Sequence, residues 1–181
     1  TKANYVVMGT HGVKGSQNVF GSHALRMVAD SDIPFLITQK GKSLTNLKNI
    51  VLTYSYDKET VQITKFIEEL AKNNEATIHL VGYIENEQNF KSKTLTNEVI
   101  LGGFLNEKKI NYEFAKLPGV ESYDKELLDY AQNVDAGVIA AAYFNGSKIA
   151  LFKNFVQDLI TNDKSIPVLT ANAETLSKMY F

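Results

Sequence analysis

The chain has 181 residues, of which 44% are hydrophobic and 22% are charged, and its formal net charge is −1. These values are typical of a globular protein, and the small net charge excludes bulk electrostatic attraction to nucleic acid or to an acidic membrane. The absence of cysteine excludes disulfide frameworks and thiolate zinc sites, so a reducing, cytoplasmic location is expected. The longest apolar runs are too short to span a bilayer, so no membrane partner is expected.

The first stretch, Tyr5 to Gln39, predicts a strand, a loop, a helix and a second strand. Tyr5–Met8 is an apolar run, His23–Ala29 has helical spacing, and Ile33–Ile37 is a second apolar run. The two runs are too far apart in sequence for a hairpin. Their separation suits a helical crossover, so a parallel βαβ unit is predicted.

The loop of this unit is rich in glycine and holds the candidate binding residues. Glycine lets a backbone approach a ligand closely, and Ser22 is expected where the helix begins, with free N–H groups facing an anion. An ordinary glycine-rich βα turn explains the same residues, and both interpretations stay open at this point. The residue order matches neither the P-loop nor the dinucleotide fingerprint. The candidate nucleotide-binding residues are Gly9, Thr10, His11, Gly12, Gly21 and Ser22.

This stretch resembles the nucleotide loop of the universal stress protein family. In that family an apolar strand precedes a Gly-x2-Gly pair, a spacer and Gly-Ser/Thr, and a strand led by proline closes the unit. Gly9-Thr10-His11-Gly12 and Gly21-Ser22 match the two parts here, and Pro34 leads the closing strand. The resemblance implies a Rossmann-like fold of the adenine nucleotide alpha-hydrolase type, with ATP phosphates and ribose held by the candidate residues.

The rest of the chain alternates predicted strands and helices after a polar linker. This alternation implies an α/β fold with a five-stranded parallel sheet that is doubly wound. The tail after the last strand is expected to hold a short docking helix. The predicted strands are 49–54, 76–84, 110–117, 137–142 and 166–170, and the predicted helices are 58–73, 90–109, 122–133 and 147–161.

An internal repeat supports the resemblance. Val6-Val7 to Pro34 is echoed by Val138-Ile139 to Pro167 at nearly the same separation. Because the sequence starts at Thr1, almost inside a strand, we expect a C-terminal fragment of a tandem protein, with weak or absent ATP binding. The predicted divisions are the last βαβ part of a first universal stress protein domain at 1–40, a linker at 41–48, a complete second domain at 49–172 and a tail at 173–181.

The second domain is predicted to be degenerate as a nucleotide site. Both glycines are missing at the place that corresponds to the loop, where Tyr143 and Phe144 are expected to crowd a phosphate. By the resemblance, an aspartate that contacts adenine follows the first strand of such a domain, and Ser55 takes that position here. Asp57 lies ahead of a predicted helix and is interpreted as its N-cap.

Few other residues indicate chemistry. His79 lies within a predicted strand and is expected to be a packed or an edge residue, and His11 has no companion ligands at metal spacing. No nucleophile with a placed base is visible, so neither a catalytic residue nor an enzyme is expected. The tyrosines are scattered rather than interleaved with basic residues, so nucleic acid is not an expected partner.

The sequence is consistent with two functions. The first is a stress-response module that binds or senses a small nucleotide, ATP by the resemblance. The alternative is an interaction protein of the same family that binds no nucleotide. Family members pair through their last strands, so a homodimer is expected, and Ile33–Ile37 and Ile166–Thr170 are also candidates to pair with each other across the linker.

Overall fold

The computed structural model describes residues 4–10, 17–39, 44, 46–120, 122–145 and 154–179. Its strands form one seven-stranded sheet. The strands are β1 (Val6–Thr10), β2 (Phe35–Gln39), β3 (Asn49–Tyr54), β4 (Thr77–Tyr83), β5 (Asn111–Leu117), β6 (Val138–Tyr143) and β7 (Val168–Asn172), and the helices are α1 (Gln17–Ala29), α2 (Glu59–Gln62), α3 (Thr64–Asn74), α4 (Gln88–Lys108), α5 (Tyr123–Asn133), α6 (Phe155–Ile160) and α7 (Ala173–Ser177).

The predicted five-stranded parallel sheet is present as part of a larger one. The strand order is β1-β2-β7-β6-β3-β4-β5, and every pairing among β3 to β7 is parallel. The predicted βαβ unit is also confirmed, because β1 pairs with β2 in parallel register. This unit extends the sheet, so the five strands expected from the sequence become seven.

The two parts of the sheet meet at an antiparallel pair. Phe35 lies opposite Thr170, Leu36 opposite Leu169 and Ile37 opposite Val168, which confirms the predicted pairing across the linker. Side-chain hydrogen bonds flank the β2–β7 pair at both ends. The Gln39 amide donates to the Asn162 carbonyl at 2.6 Å, and the Asn172 amide donates to the Ala29 carbonyl at 2.6 Å.

The pairing of β2 with β7 bears on the homodimer that was expected to form through the last strands. Strand β2 lies between β1 and β7, and β7 lies between β2 and β6. Both edges of both strands are therefore already paired within one chain, and a dimer by that route would have to displace them.

Each face of the sheet carries its own hydrophobic layer. Ile50 and Leu52 of β3 face a layer that includes residues of α3 and α4, whereas Val51 faces a layer that includes residues of α5 and α6. Alternate residues of a strand point to opposite faces, so a strand covered on both sides is apolar throughout. Leu25 and Val28 of α1 belong to the second layer, so the first stretch contributes to the common core.

Several element boundaries differ from the prediction. The helix predicted over 58–73 is two helices that meet at Ile63, whose ψ of −20° tightens the backbone there. Helix α1 begins at Gln17, well before Ser22. The predicted docking helix in the tail is confirmed as α7, with Leu176 buried. The first part of the helix predicted over 147–161, residues 147–153, lies outside the described residues, and the described part contains α6.

The described turns from α3 to β4, α4 to β5, α5 to β6 and α6 to β7 each contain a non-glycine residue in the left-handed conformation. An L-residue at such a position costs about 1–2 kcal/mol because its Cβ crowds the following carbonyl. Residues other than glycine therefore adopt a backbone conformation that glycine would adopt at a lower cost. The residues and their φ angles are Glu75 (50°), Lys109 (56°), Asp135 (51°) and Ser165 (56°).

We expect Lys109→Gly to raise the free energy of unfolding by about 0.5–1 kcal/mol, because glycine adopts this conformation without the Cβ clash. Lys109 is exposed, so little packing is lost. Urea unfolding would measure the change. Lys109→Ala is the control, since it removes the same side chain but keeps the Cβ, and an equal gain from both variants would contradict the explanation.

His79 of β4 is the centre of a buried polar network. Its Nδ1 lies 3.1 Å from the Tyr130 hydroxyl, and its Nε2 lies 3.1 Å from the Asn49 side-chain oxygen. Asn49 donates its amide to the Val134 carbonyl, so its oxygen accepts and Nε2 carries the proton. Burial lowers the pKa of His79, and Glu113 opposes this only in part. The predicted packed role is confirmed.

The lowered pKa of His79 predicts a pH dependence of stability. The unfolded state binds the proton more readily than the folded state, so the free energy of unfolding should fall as pH drops from 6.5 towards the lowered pKa. His79→Gln should flatten the slope of unfolding free energy against pH in that window. His23→Gln, at an exposed position of α1, is the control, and an unchanged slope in His79→Gln would contradict the prediction.

Candidate functional site

A cavity of about 220 Å³ lies at the carboxyl ends of β3 and β6. The chain leaves β3 towards the helices of one face and leaves β6 towards α6 on the other face. Neighbouring parallel strands with connections to opposite faces leave a crevice between them, which is where ligands bind in open α/β sheets. The described lining residues are Leu25, Thr53, Tyr54, Ser55, Asp57, Thr60, Tyr123, Ala142, Tyr143, Phe144, Asn154, Phe155, Val156 and Gln157.

The loop after β3 is held rigidly at the edge of this cavity. The backbone N–H of Ser55 donates to the Thr60 hydroxyl at 3.0 Å, and that hydroxyl donates to the Asp57 carbonyl at 2.6 Å. From the other side, the Asn97 amide donates to the Ser55 carbonyl at 2.8 Å. Thr60 and Asn97 are both buried, so the loop has little freedom to move.

Asp57 does not have the helix-capping role expected from the sequence. The N-cap of α2 is Lys58, and no side chain caps that helix. The Asp57 Oδ2 instead accepts from the Ser55 hydroxyl at 3.3 Å. Burial raises the pKa of the Asp57 carboxyl; Glu59 raises it further, while the Ser55 hydrogen bond and Lys93 lower it. This carboxylate has lost part of its hydration, so a ligand with N–H or O–H donors would stabilise it.

Aromatic rings form much of the cavity wall. The Tyr54 hydroxyl donates to Glu98 at 2.9 Å, and the Tyr123 hydroxyl donates to the Val81 carbonyl at 2.8 Å. Burial raises the pKa of both hydroxyls. The Tyr123 and Phe155 rings stack with centroids 5.5 Å apart. Because the two hydroxyls have protein partners, these rings contribute mainly apolar surface to the cavity.

Tyr143 and Phe144 form part of the wall and do not fill the site. The sequence predicted that both would crowd a phosphate in the second domain. Both line a cavity of about 220 Å³, and the crowding of a phosphate stays a prediction. Their rings contribute aromatic surface to this part of the wall.

The first stretch of the chain completes the cavity. Leu25 of α1 is a lining residue, although its helix belongs to the unit that precedes the linker. Strand β2 runs antiparallel to β7, so the chain of α1 returns towards the carboxyl ends of β6 and β7. The bond from Asn172 to the Ala29 carbonyl fixes the end of α1 there.

The residues predicted from the glycine loop lie elsewhere. Gly9 and Thr10 are in β1, an edge strand, whose carboxyl end points to the opposite end of the sheet from the cavity. Gly21 and Ser22 lie inside α1, so Ser22 is not at the start of a helix and the argument from the helix dipole does not apply to it. His11 and Gly12 lie outside the described residues.

Sequence reasoning missed Asp57 as a site residue. A capping aspartate and a ligand-binding aspartate have the same sequence signal when both precede a helix. The position of Asp57 just after a buried parallel strand was the remaining clue, because crevices form at the carboxyl ends of such strands.

No group of His, Cys, Asp or Glu side chains among the described residues has an arrangement that could hold a metal ion. None of the described helices is long and apolar enough to cross a membrane.

Several solved structures with the same fold are universal stress proteins. A universal stress protein from Archaeoglobus fulgidus DSM 4304 superposes with a TM-score of 0.66 at 16% identity, over 93% of this chain and 60% of that one. A putative universal stress protein from Pseudomonas aeruginosa UCBPP-PA14 superposes with a TM-score of 0.59 at 14% identity, over 94% and 65%. The chain has the universal stress protein fold.

Shorter proteins with the universal stress protein fold match about two-thirds of the chain. A universal stress protein from Archaeoglobus fulgidus in complex with dAMP covers 69% of this chain and 97% of its own length, with a TM-score of 0.53 at 14% identity. No family model and no curated protein matches the sequence. This chain spans only about 60% of the length of the Archaeoglobus fulgidus DSM 4304 protein.

Gly82 sets the position of the Tyr54 ring in the cavity wall. A Cβ at Gly82 would lie 2.6 Å from the Tyr54 ring. We expect Gly82→Ala to lower the free energy of unfolding by about 1–3 kcal/mol, the usual cost of overpacking. Gly103→Ala in α4 meets no atom within 4 Å and should instead stabilise the protein by about 1 kcal/mol. Chemical denaturation measures the free energy of unfolding of both variants. Equal changes in the two variants would contradict the explanation that a Cβ at Gly82 overpacks the Tyr54 ring.

Proposed function

We propose that this chain is a stress-response sensing module that binds an adenine nucleotide or nucleoside in the cavity between β3 and β6. The observation that supports the proposal most directly is Asp57, a preorganised acceptor placed in a ring-lined cavity at the switch point of the sheet. Proteins of the same fold have been solved with dAMP and with cAMP, so the ligand class agrees with the neighbours.

The chemistry of the cavity suits this class of ligand. The flat face of a purine stacks on aromatic side chains, with a contribution of about 1–3 kcal/mol per base. The exocyclic amine of adenine and the hydroxyls of ribose are donors, and the Asp57 carboxylate accepts. Ser55 and the described amides of Asn154 and Gln157 also line the cavity and provide further polar contacts. Binding needs no bond to break, so we propose a sensor and no turnover.

The glycine-rich stretch is retained as a second proposed site. In the domain division proposed from the sequence, Gly9, Thr10, His11, Gly12, Gly21 and Ser22 would contact the nucleotide of a first domain in a longer tandem protein. Because β1 ends on the side of the sheet away from the cavity, the two sites would be occupied independently.

Titration calorimetry with adenosine, AMP and ATP tests the proposal. We expect adenosine to bind, and Asp57→Asn to weaken its binding about tenfold or more, since a hydrogen bond to a charged group contributes about 1.5–3 kcal/mol. Asp30→Asn, at an exposed position after α1, is the matched control. Absence of heat and of chemical-shift changes with all three ligands at millimolar concentration would overturn the proposal.

The alternative is an interaction protein that needs no ligand. The observation that favours it is the outer edge of β1, which no described strand pairs and where Val7 is 64% exposed. An open edge strand is a template for another chain. A Val7→Lys variant that loses a cellular partner while adenosine fails to bind the parent protein would favour this function.

A further inference from the structure

We infer that the outer edge of β5 pairs with the same edge of a second copy of this chain, in antiparallel register about Phe114, and so joins two sheets into one. This inference goes beyond the proposed function, because it concerns the edge of the sheet farthest from β1 and requires no ligand. It rests on the backbone groups, the apolar surface and the charges that β5 and α4 present at this edge.

The free backbone groups of β5 belong to alternate residues. Strand β5 ends the sheet and pairs with β4 on its inner side, and no described strand pairs its outer side. The Leu117 carbonyl accepts from the Ile84 N–H, so it points towards β4. Because the direction of these groups alternates along a strand, the N–H and C=O groups of Tyr112, Phe114 and Lys116 face outwards.

Phe114 adds apolar surface to this edge. Its ring packs edge to face against Tyr54, with centroids 6.0 Å apart, and its side chain is still 44% exposed. The Tyr112 ring lies next to it, with centroids 5.6 Å apart. A strand edge that combines exposed apolar side chains with free backbone groups is a template for another strand.

Helix α4 lies along the same edge and leaves it open. The Asn106 amide donates to the Tyr112 hydroxyl at 3.1 Å, and the Lys116 ammonium lies 2.9 Å from the Glu98 carboxylate. A lysine on an edge strand often prevents pairing with another chain. Here the ammonium is held against α4, so it does not block the outward backbone groups of β5.

Two exposed apolar residues of α4 lie beside its contacts with β5. The residues of α4 that contact β5 include 98 and 106, which share one row of the helix with 102. Leu95 and Val99 precede residues 98 and 102 by three positions, on the side away from the buried Leu101 and Leu105. Val99 is 76% exposed. Pairing of two β5 strands would bring this surface of α4 next to its counterpart on the other copy.

Antiparallel pairing about Phe114 uses all three outward residues. Phe114 then lies opposite itself, and Tyr112 lies opposite Lys116 of the other copy, so each pair exchanges two backbone hydrogen bonds. A register about Glu113 would place two like charges directly opposite each other, which is destabilising. A shift of the centre by one residue in the other direction would place Tyr112 opposite Pro118, which has no N–H to donate.

Charges at the two ends of β5 are complementary in this register. Lys109 is exposed in the turn before β5. After β5, the Glu126 carboxylate accepts from the N–H groups of Gly119 and Val120, both at 2.7 Å. Pairing about Phe114 places Lys109 opposite Gly119 of the other copy, so each lysine approaches a carboxylate of the other chain. Two-fold symmetry repeats this match, which favours a second copy over an unrelated strand.

Sedimentation of the wild-type chain and of two variants tests the inference. We expect a dimer that dissociates on dilution. Val99→Lys should raise its dissociation constant about tenfold or more, because two-fold symmetry places the added charge in the apolar interface twice. Val7→Lys, at a 64% exposed position on the outer edge of β1, is the matched control and should change the constant less than about twofold. Circular dichroism confirms that both variants are folded.

Amide hydrogen exchange measured by NMR tests the register. In the dimer, the N–H groups of Tyr112, Phe114 and Lys116 should exchange about tenfold or more slowly than in Val99→Lys, because new hydrogen bonds protect them. The N–H groups of residues 113, 115 and 117 face β4 in both proteins, so they serve as internal controls.

Three results would each overturn the inference. The first is a chain that stays monomeric at millimolar concentration. The second is a dimer that Val7→Lys weakens and Val99→Lys leaves unchanged. The third is a dimer in which the outward amides of β5 exchange as fast as they do in Val99→Lys. The binding of adenosine enters none of these measurements, so the proposed function stands or falls separately.

Discussion

The antiparallel pair of β2 and β7 is the constraint on which the rest of the structure depends. It joins a βαβ unit to a complete five-stranded parallel sheet through backbone hydrogen bonds, and the side chains of Gln39 and Asn172 hold its two ends. Because the pair is antiparallel, the helix of the first unit lies against the second layer of the core. The cavity between β3 and β6 is thereby completed by Leu25, which lies before the linker.

The antiparallel pairing of β2 with β7 also places the candidate residues of β1 far from the residues that line the cavity. The strands β1 and β2 run opposite to the other five, so the carboxyl end of β1 and the carboxyl ends of β3 and β6 lie at opposite ends of the sheet. Gly9 and Thr10 of β1 therefore lie at the other end of the sheet from the aromatic crevice that holds Asp57.

The walls of the cavity come from different parts of the chain. Tyr143 and Phe144 at the end of β6 supply aromatic surface on one side, while the buried amide of Asn97 and the Thr60 hydroxyl hold the loop on the other side. The strand order creates the crevice between them, because β3 and β6 are neighbours whose connections leave towards opposite faces.

The sequence by itself determined the parallel sheet, since buried strands such as β3 and β6 are continuous apolar runs and the intervening helices have clear periodicity. It also indicated the packed role of His79. The pairing of Ile33–Ile37 with Ile166–Thr170 was predicted from the resemblance to a family whose members pair through their last strands.

Only the tertiary structure decided the role of Asp57 and the state of Tyr143 and Phe144. The carboxylate precedes a helix as a capping residue does. The bond from Asn97 to the Ser55 carbonyl, which holds its loop, joins residues distant in sequence. The start of α1 at Gln17 was also missed, because a glycine-rich stretch predicts a loop by local propensity. Local patterns determine which segments become strands, whereas the space left between them depends on how distant segments pack.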